Sequence, residues 1–523
     1  MSALLGAGER AGIASLLTTR AEVSADEPFV TFTGRTVTFA GMLERAREAA
    51  DALSALGISR GDRLALMLPN CLEFLDLWFG SALLGAVLVP INTALRGEGL
   101  RYLIEHSGSK LLVVDEPLRD TAAEACSACA EPARLLVRDS ALGAQGELAQ
   151  ALAGGHPRAP LAGVAPEELA SILYTSGTTG LPKGVMNCHN AYATAGREFA
   201  AETVRVRSDD VLYTTLPLFH INAQTLTVMG SIVSGRPMVL APRFSASGLL
   251  DDVRAHGATV FNYIGAMLTM LFKQPTRPDD SENPLRLTVG GAAPKELWRS
   301  FEQRFSLEIL EIYGLTETAC FCLSNPPEDV RLGKIGTPVS WSEVRIEGPD
   351  GEVLGPGEPG EICVRSKLPD VMLMGYYGNE AATTEAMRGG WFHSGDRGEV
   401  DADGYFTFLD RLKDSIRRRG ENISSYEVER AINEHPLVIE SAAVAVPSEL
   451  GEDEVMIVVV PREEGELTPE QLIEFAEQRI ARFMVPRFVR FVDALPKTGT
   501  ERVRKFMLRE QGAADAWDRE AAA

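Results

Sequence analysis

Helix-spaced apolar positions followed by a short buried strand, repeated along the chain, constrain this sequence more than any other feature. Leu43, Ala46, Ala50 and Leu53 recur at helical spacing, Gly57 stands where a left-handed cap is wanted, and residues 63 to 67 then read as a buried strand. The alternation returns through 110 to 114, 171 to 175, 238 to 240 and 259 to 263, which predicts α/β layers with largely parallel sheets. After about Gly333 the pattern changes: short strands are joined by Pro349-Asp-Gly351 and Asp401-Ala-Asp-Gly404, hairpin-closing sequences that predict an antiparallel, barrel-like β subdomain. From about Leu412 the sequence predicts a helix over 425 to 434, strands over 441 to 446 and 455 to 460, and a helix over 469 to 482. The expected fold is therefore α/β, with a large N-terminal domain over 1–410 and a small α+β domain over 411–523.

Residues 77 to 95 carry no charge, yet Gly80, Gly85, Pro90 and Asn92 interrupt them. They read as the end of a buried helix that starts near Cys71, followed by a strand over 86 to 89, and no membrane span is expected. A net charge of −22 makes nucleic acid an unsuitable partner, because the average surface repels a polyanion. The seven cysteines are odd in number and lack framework spacing, as in a chain whose thiols stay reduced, and the N-terminus shows no secretion signal. A cytoplasmic address is expected. Cys126 and Cys129 are expected to pack rather than bind metal, since no second pair accompanies them. Gly57-Ile-Ser59-Arg-Gly61 has the spelling of a hydrolase elbow but lies between a helix and a strand, the reverse of the order that motif needs.

The stretch Leu173-Tyr-Thr-Ser-Gly-Thr-Thr-Gly-Leu-Pro-Lys-Gly-Val185 runs from a strand into a loop dense in hydroxyls and glycines. Such a loop can wrap polyphosphate. Gly177 and Gly180 let backbone N–H groups approach, Thr175, Ser176, Thr178 and Thr179 add hydroxyls, and Lys183 supplies a cation. Pro182 before Lys183 and Gly184 after it exclude a Walker loop.

Five further motifs follow in order: Gly290-Gly-Ala-Ala-Pro294, Tyr313-Gly-Leu-Thr-Glu317, Trp391-Phe-His-Ser-Gly-Asp396, Asp410-Arg-Leu-Lys-Asp414 and Arg419-Gly-Glu-Asn422. With them the chain resembles the adenylate-forming superfamily of acyl-CoA synthetases, peptide-synthetase adenylation domains and luciferases, from about residue 28 to 510. The resemblance implies ATP, Mg²⁺ and CoA as ligands. It places Thr316 at the α-phosphate, Glu317 on Mg²⁺, Asp396 and Arg411 on the ribose, and Gly290, Gly291, Ala292 and Tyr313 around adenine. It makes Lys413 the hinge of a mobile C-terminal domain, His220 the gate between acid pocket and thiol tunnel, and Gly420 and Asn422 part of the tunnel lining. The acid pocket should be walled by residues near 222 to 225, 263 to 268 and 319 to 323.

One departure stands out. The family's C-terminal signature ends in Gly-Lys-Ile, whereas here Glu501-Arg502-Val503 puts Arg502 at the lysine position, with Lys497 and Lys505 as other cations in reach. Arg418-Arg-Gly-Glu-Asn-Ile-Ser looks most like the crotonobetaine and carnitine CoA ligase branch. The expected function is an acyl-CoA ligase that forms acyl-AMP and pyrophosphate, then a thioester and AMP. Two alternatives stay open at this point: a diazotase that activates nitrite for an aromatic amine without CoA, and a nucleotide-binding pseudoenzyme. A homodimer is the default expectation for assembly.

Overall fold

The computed structural model describes every residue except 1–3, 5, 7, 162, 176–180, 296, 412–414, 449–450, 463–466, 497–502, 504 and 522–523, and omits the side chains of 266, 410, 411, 415, 422, 424, 426, 430 and 506. Among the described residues, two wide sheets form the α/β body. The first runs in spatial order through 337–338, 323–324, 308–313, 287–291, 260–264, 212–214, 238–240, 28–32 and 35–38. Its strands from 308–313 to 28–32 pair in parallel. The second runs through 375–376, 183–188, 169–175, 87–90, 63–67, 111–115 and 134–138, and is parallel from 169–175 onward. Strand 183–188 pairs antiparallel with 169–175, bringing Lys183 opposite Thr175.

The uncharged stretch resolves as expected. Helix Leu72–Leu84 is buried along nearly its whole length, Gly85 caps it in the left-handed region, and strand Val87–Pro90 follows. Among the described residues no helix is long and apolar enough to cross a membrane. Cys126 and Cys129 lie in the apolar cluster on one face of the second sheet, both as free thiols.

The antiparallel region takes the form of a four-stranded sheet, 342–347, 360–366, 392–400 and 406–411, with Gly351 and Gly404 at positive φ in its turns. Asp401 accepts from the backbone N–H groups of Asp403 and Tyr405, so it closes a hairpin rather than a cation loop. The C-terminal unit has its own apolar core, in which Ile416 and Ile423 of the hairpin 415–418/421–424 pack with Val428, Ile432 and Ile457. Helix Pro469–Glu477 opens with a Thr468/Gln471 capping box and ends five residues short of the expected 482. The chain turns there, carrying Ile480, Ala481, Met484 and Val485 into the core, so apolar spacing persists while the helix does not.

Candidate active site

Parallel strands leave their carboxyl ends on one side of each sheet, and in open α/β folds that rim is where ligands sit. Here a cavity of about 620 Å³ is lined by Asn70, Thr93, Thr175, Thr215, Ile264 and Thr316, each on the segment just after a strand or at its last residue. His220, Asn222, Met267 and Cys320 add side wall, and Arg417, Arg419, Gly420 and Glu421 reach in from the C-terminal hairpin. The expected pocket-wall segments therefore supply Asn222, Ile264, Met267 and Cys320. Burial pushes the Cys320 thiol up to about 12, so it serves as wall and not nucleophile.

Thr175 and Lys183 flank the hydroxyl- and glycine-rich loop expected to hold phosphate, whose residues Ser176, Gly177, Thr178, Thr179 and Gly180 lie outside the described residues. The Lys183 ammonium sits 4.8 Å from the centre of the Tyr376 ring. Tyr376 Oη donates to Glu317 Oε1 at 3.0 Å, so Lys183, Tyr376 and the buried Glu317 form one chain of contacts. Thr316 and Glu317 occupy a single helical turn just after strand Glu308–Tyr313, so the motif Tyr-Gly-Leu-Thr-Glu delivers Thr316 to the cavity lining while Glu317 lies buried against Tyr376.

Tyr313, the last residue of that strand, donates its hydroxyl to Asp396 Oδ2 at 2.7 Å. Asp396 is 3% exposed and lies in register with Arg411 on the neighbouring strand. The Arg411 and Asn422 side chains, and the whole of Lys413 and Arg502, fall outside the described residues. Of the other cations near Arg502 in sequence, Lys505 bonds Ser425 Oγ at 2.8 Å and pairs with Glu429 at 2.7 Å, which ties it to its own domain.

Gly290, Gly291 and Ala292 close the end of strand Leu287–Gly291. A Cβ on Gly290 would lie 1.9 Å from the carbonyl oxygen of Tyr263, so only glycine lets the two strands approach here. Glu311 holds this turn in place and escaped sequence reasoning. Its carboxylate accepts from Ala292 N at 2.5 Å, Ala293 N at 3.0 Å and Tyr263 Oη at 2.5 Å, while Ala292 takes φ +66°. Burial raises the Glu311 carboxyl to about 7 against those three hydrogen bonds. An acid between apolar neighbours, in Ile309-Leu-Glu311-Ile312, was the available signal.

His220 faces the hairpin. Its Nε2 lies 3.1 Å from Glu421 Oε1, which also accepts from Asn92 Nδ2 at 3.2 Å. Burial works against charge on the imidazole, but the Glu421 carboxylate outweighs it and raises His220, while Glu421 is held below the usual carboxylate range despite its own burial. Gly420, at φ +82°, rests on Ile264: an added Cβ would come within 1.9 Å of Ile264 Cδ1.

Residues 17–377 match the AMP-binding enzyme model and 427–502 the AMP-binding enzyme C-terminal domain model. The chain belongs to the AMP-binding enzyme family. It is 33% identical to a long-chain-fatty-acid–CoA ligase of Mycobacterium tuberculosis, over 91% of this chain and 93% of that one. It is 32% identical to a crotonobetaine/carnitine–CoA ligase of Salmonella typhimurium, over 90% and 92%. Among solved structures, an o-succinylbenzoate CoA synthetase double mutant from Bacillus subtilis superposes with a TM-score of 0.84 at 26% identity, covering 95% of this chain and 98% of that one. Membership in the AMP-binding family makes the chain an AMP-forming ligase, and these relatives lend no support to the diazotase alternative.

Proposed function

We propose that this protein is an ATP-dependent acyl-CoA ligase that adenylates an organic acid and then transfers the acyl group to CoA. The observation that carries the second half is the position of the C-terminal hairpin: Arg417, Arg419, Gly420 and Glu421 line the cavity, and Glu421 engages His220. A small domain that plants its turn beside the acid pocket suits thioester formation, and its movement over a hinge near Lys413, between parts spanning 1–410 and 411–523, serves the adenylation step.

In this reading a carboxylate oxygen of the acid attacks the α-phosphorus of ATP in line and pyrophosphate leaves. The loop from Thr175 to Lys183 and Thr316 hold the phosphates, Tyr313 and the Gly290 to Ala292 turn hold adenine, and Asp396 with Arg411 holds the ribose. Arg502 is the cation assigned to the adenylation anion in place of the usual lysine. The CoA thiolate then attacks the acyl carbon past His220, with Gly420 and Asn422 along its path, and AMP is released.

Magnesium fits the residues present: Glu317 offers one buried carboxylate beside a phosphate-binding loop, the sparse oxygen set that a hard cation sharing its shell with phosphate and water prefers. When bound, it neutralises charge on phosphate oxygens. The contacts joining Lys183, Tyr376 and Glu317 speak against a pseudoenzyme. The test is AMP release from ATP across a panel of acids. Release that requires both an acid and CoA supports the ligase. ATP binding without AMP under any acid, or release indifferent to CoA, overturns it.

A further inference from the structure

Beside His220 the cavity wall holds a pair of carboxamides in largely apolar surroundings. Asn222 lines the cavity and begins the wide helical turn Ala223–Val228, a departure from α geometry of the sort that recurs at functional sites. Behind it, Asn262 sits on strand Val260–Ile264 at 1% exposure and donates Nδ2 to Asn222 Oδ1 at 3.2 Å. Asn262 Oδ1 has no hydrogen-bond partner among the described residues. The cavity lining mixes apolar residues, among them Ile221, Ile264, Met267 and Met270, with polar ones such as Thr215, His220 and Arg243, yet no residue among those described pairs with Asn262 Oδ1.

The hydrogen-bond count is the same if both amides are turned together, which only exchanges donor and acceptor. Two carboxamides bring two acceptor oxygens and two NH₂ groups, and one bond between them consumes one oxygen and one N–H. Left over are Asn262 Oδ1, buried behind the wall, and the Nδ2 group of Asn222, the residue that lines the cavity. Leaving such groups unpaired in an apolar enclosure is costly, and a hydrocarbon ligand pressed against them makes it worse by excluding water.

We propose that the acid this ligase activates carries a neutral hydrogen-bonding substituent, a hydroxyl or carboxamide, seated against Asn222, with Asn262 positioning that side chain from behind. Neither asparagine carries charge, so the pair suits a neutral group, and a matched acid that lacks it would displace water from Asn222 without replacing the hydrogen bond. The proposal rests on the ligase reading above and names its substrate class.

The test compares pyrophosphate release for matched acids: hydroxybutyrate isomers against butyrate, and hydroxybenzoate isomers against benzoate. The hydroxylated member of at least one set is expected to lead in kcat/KM by about tenfold or more, as sites built around a hydrogen bond discriminate. Asn222→Leu should collapse that lead to about twofold or less while ATP affinity stays at the wild-type value, and Asn262→Leu should reduce it partway. Asn222→Ala, which removes the carboxamide without adding bulk, provides a second variant should the leucine protein misfold, and it too should lose the lead. A preference for unsubstituted or charged acids, or a lead that survives Asn222→Leu and Asn222→Ala, overturns this inference alone. No pyrophosphate from any acid, with ATP bound, overturns the ligase reading and this inference with it.

Discussion

His220 and Glu421, separated by 201 positions in the sequence, meet at 3.1 Å across the cavity. The contact joins the cavity wall to the turn of the C-terminal hairpin, and in the proposed cycle it is made only while that turn is docked. Glu421→Gln should therefore leave pyrophosphate formation near the wild-type rate and slow thioester formation by about tenfold or more, the loss typical of a charge-assisted hydrogen bond. Separate assays of the two half-reactions decide this, and equal loss in both would contradict it.

Gly420→Ala tests the same docking by steric means. Its Cβ would collide with Ile264 Cδ1 at 1.9 Å, and alanine at φ +82° is strained by about 1 kcal/mol or more. The expected outcome is a protein whose melting temperature falls by a few degrees, still competent to form acyl-AMP, whose CoA-dependent step falls at least about tenfold.

The His220–Glu421 pair also sets a pH window. His220 is raised by Glu421, so its contribution to docking is complete below the ordinary imidazole range and fades as pH rises through the raised value. Glu421 is lowered, so its contribution is present above the ordinary carboxylate range and fades as pH falls through the lowered value. Thioester formation should thus decline as pH rises through the raised imidazole value, and in Glu421→Gln the decline should begin at lower pH. A half-reaction pH profile that is identical in the two proteins would refute the assignment.

At the phosphate end, Glu317→Gln should reduce pyrophosphate release by about a hundredfold or more and weaken its dependence on Mg²⁺ concentration. Lys183→Met should cost a comparable amount while leaving the Mg²⁺ dependence in place. Magnesium titrations of the two variants separate the roles.

Glu311→Gln probes the Gly290 to Ala292 turn that the proposed function assigns to adenine. The wild-type carboxyl, raised to about 7 by burial, favours the folded state most when protonated, so stability should fall as pH rises through about 7. Glutamine removes that titration. Melting temperatures of the variant should be flatter than those of the wild type between about pH 5 and 8, and its KM for ATP should rise because Ala292 and Ala293 lose a carboxylate acceptor.

Much of this was legible in the sequence because it is local. The strand 238–240 falls where its apolar run places it, and the break at Gly85 is encoded by one residue able to adopt a left-handed cap. Motifs that end a strand and start a turn, such as Tyr313 to Glu317, carry their geometry with them. What escaped depends on partners distant in the chain. Glu311 acts through Tyr263 and Ala292, and Asn262 acts through Asn222, contacts that only sheet order creates. The helix from Pro469 stops at Glu477 because tertiary packing, not spacing, decides where the chain turns.

Ile264 belongs to two surfaces at once: it lines the acid cavity and it is the floor on which Gly420 rests. If the proposed cycle holds, a substitution at Ile264 that changes which acid is accepted also changes the seat of Gly420, so selectivity and the tempo of turnover are linked through one methyl group.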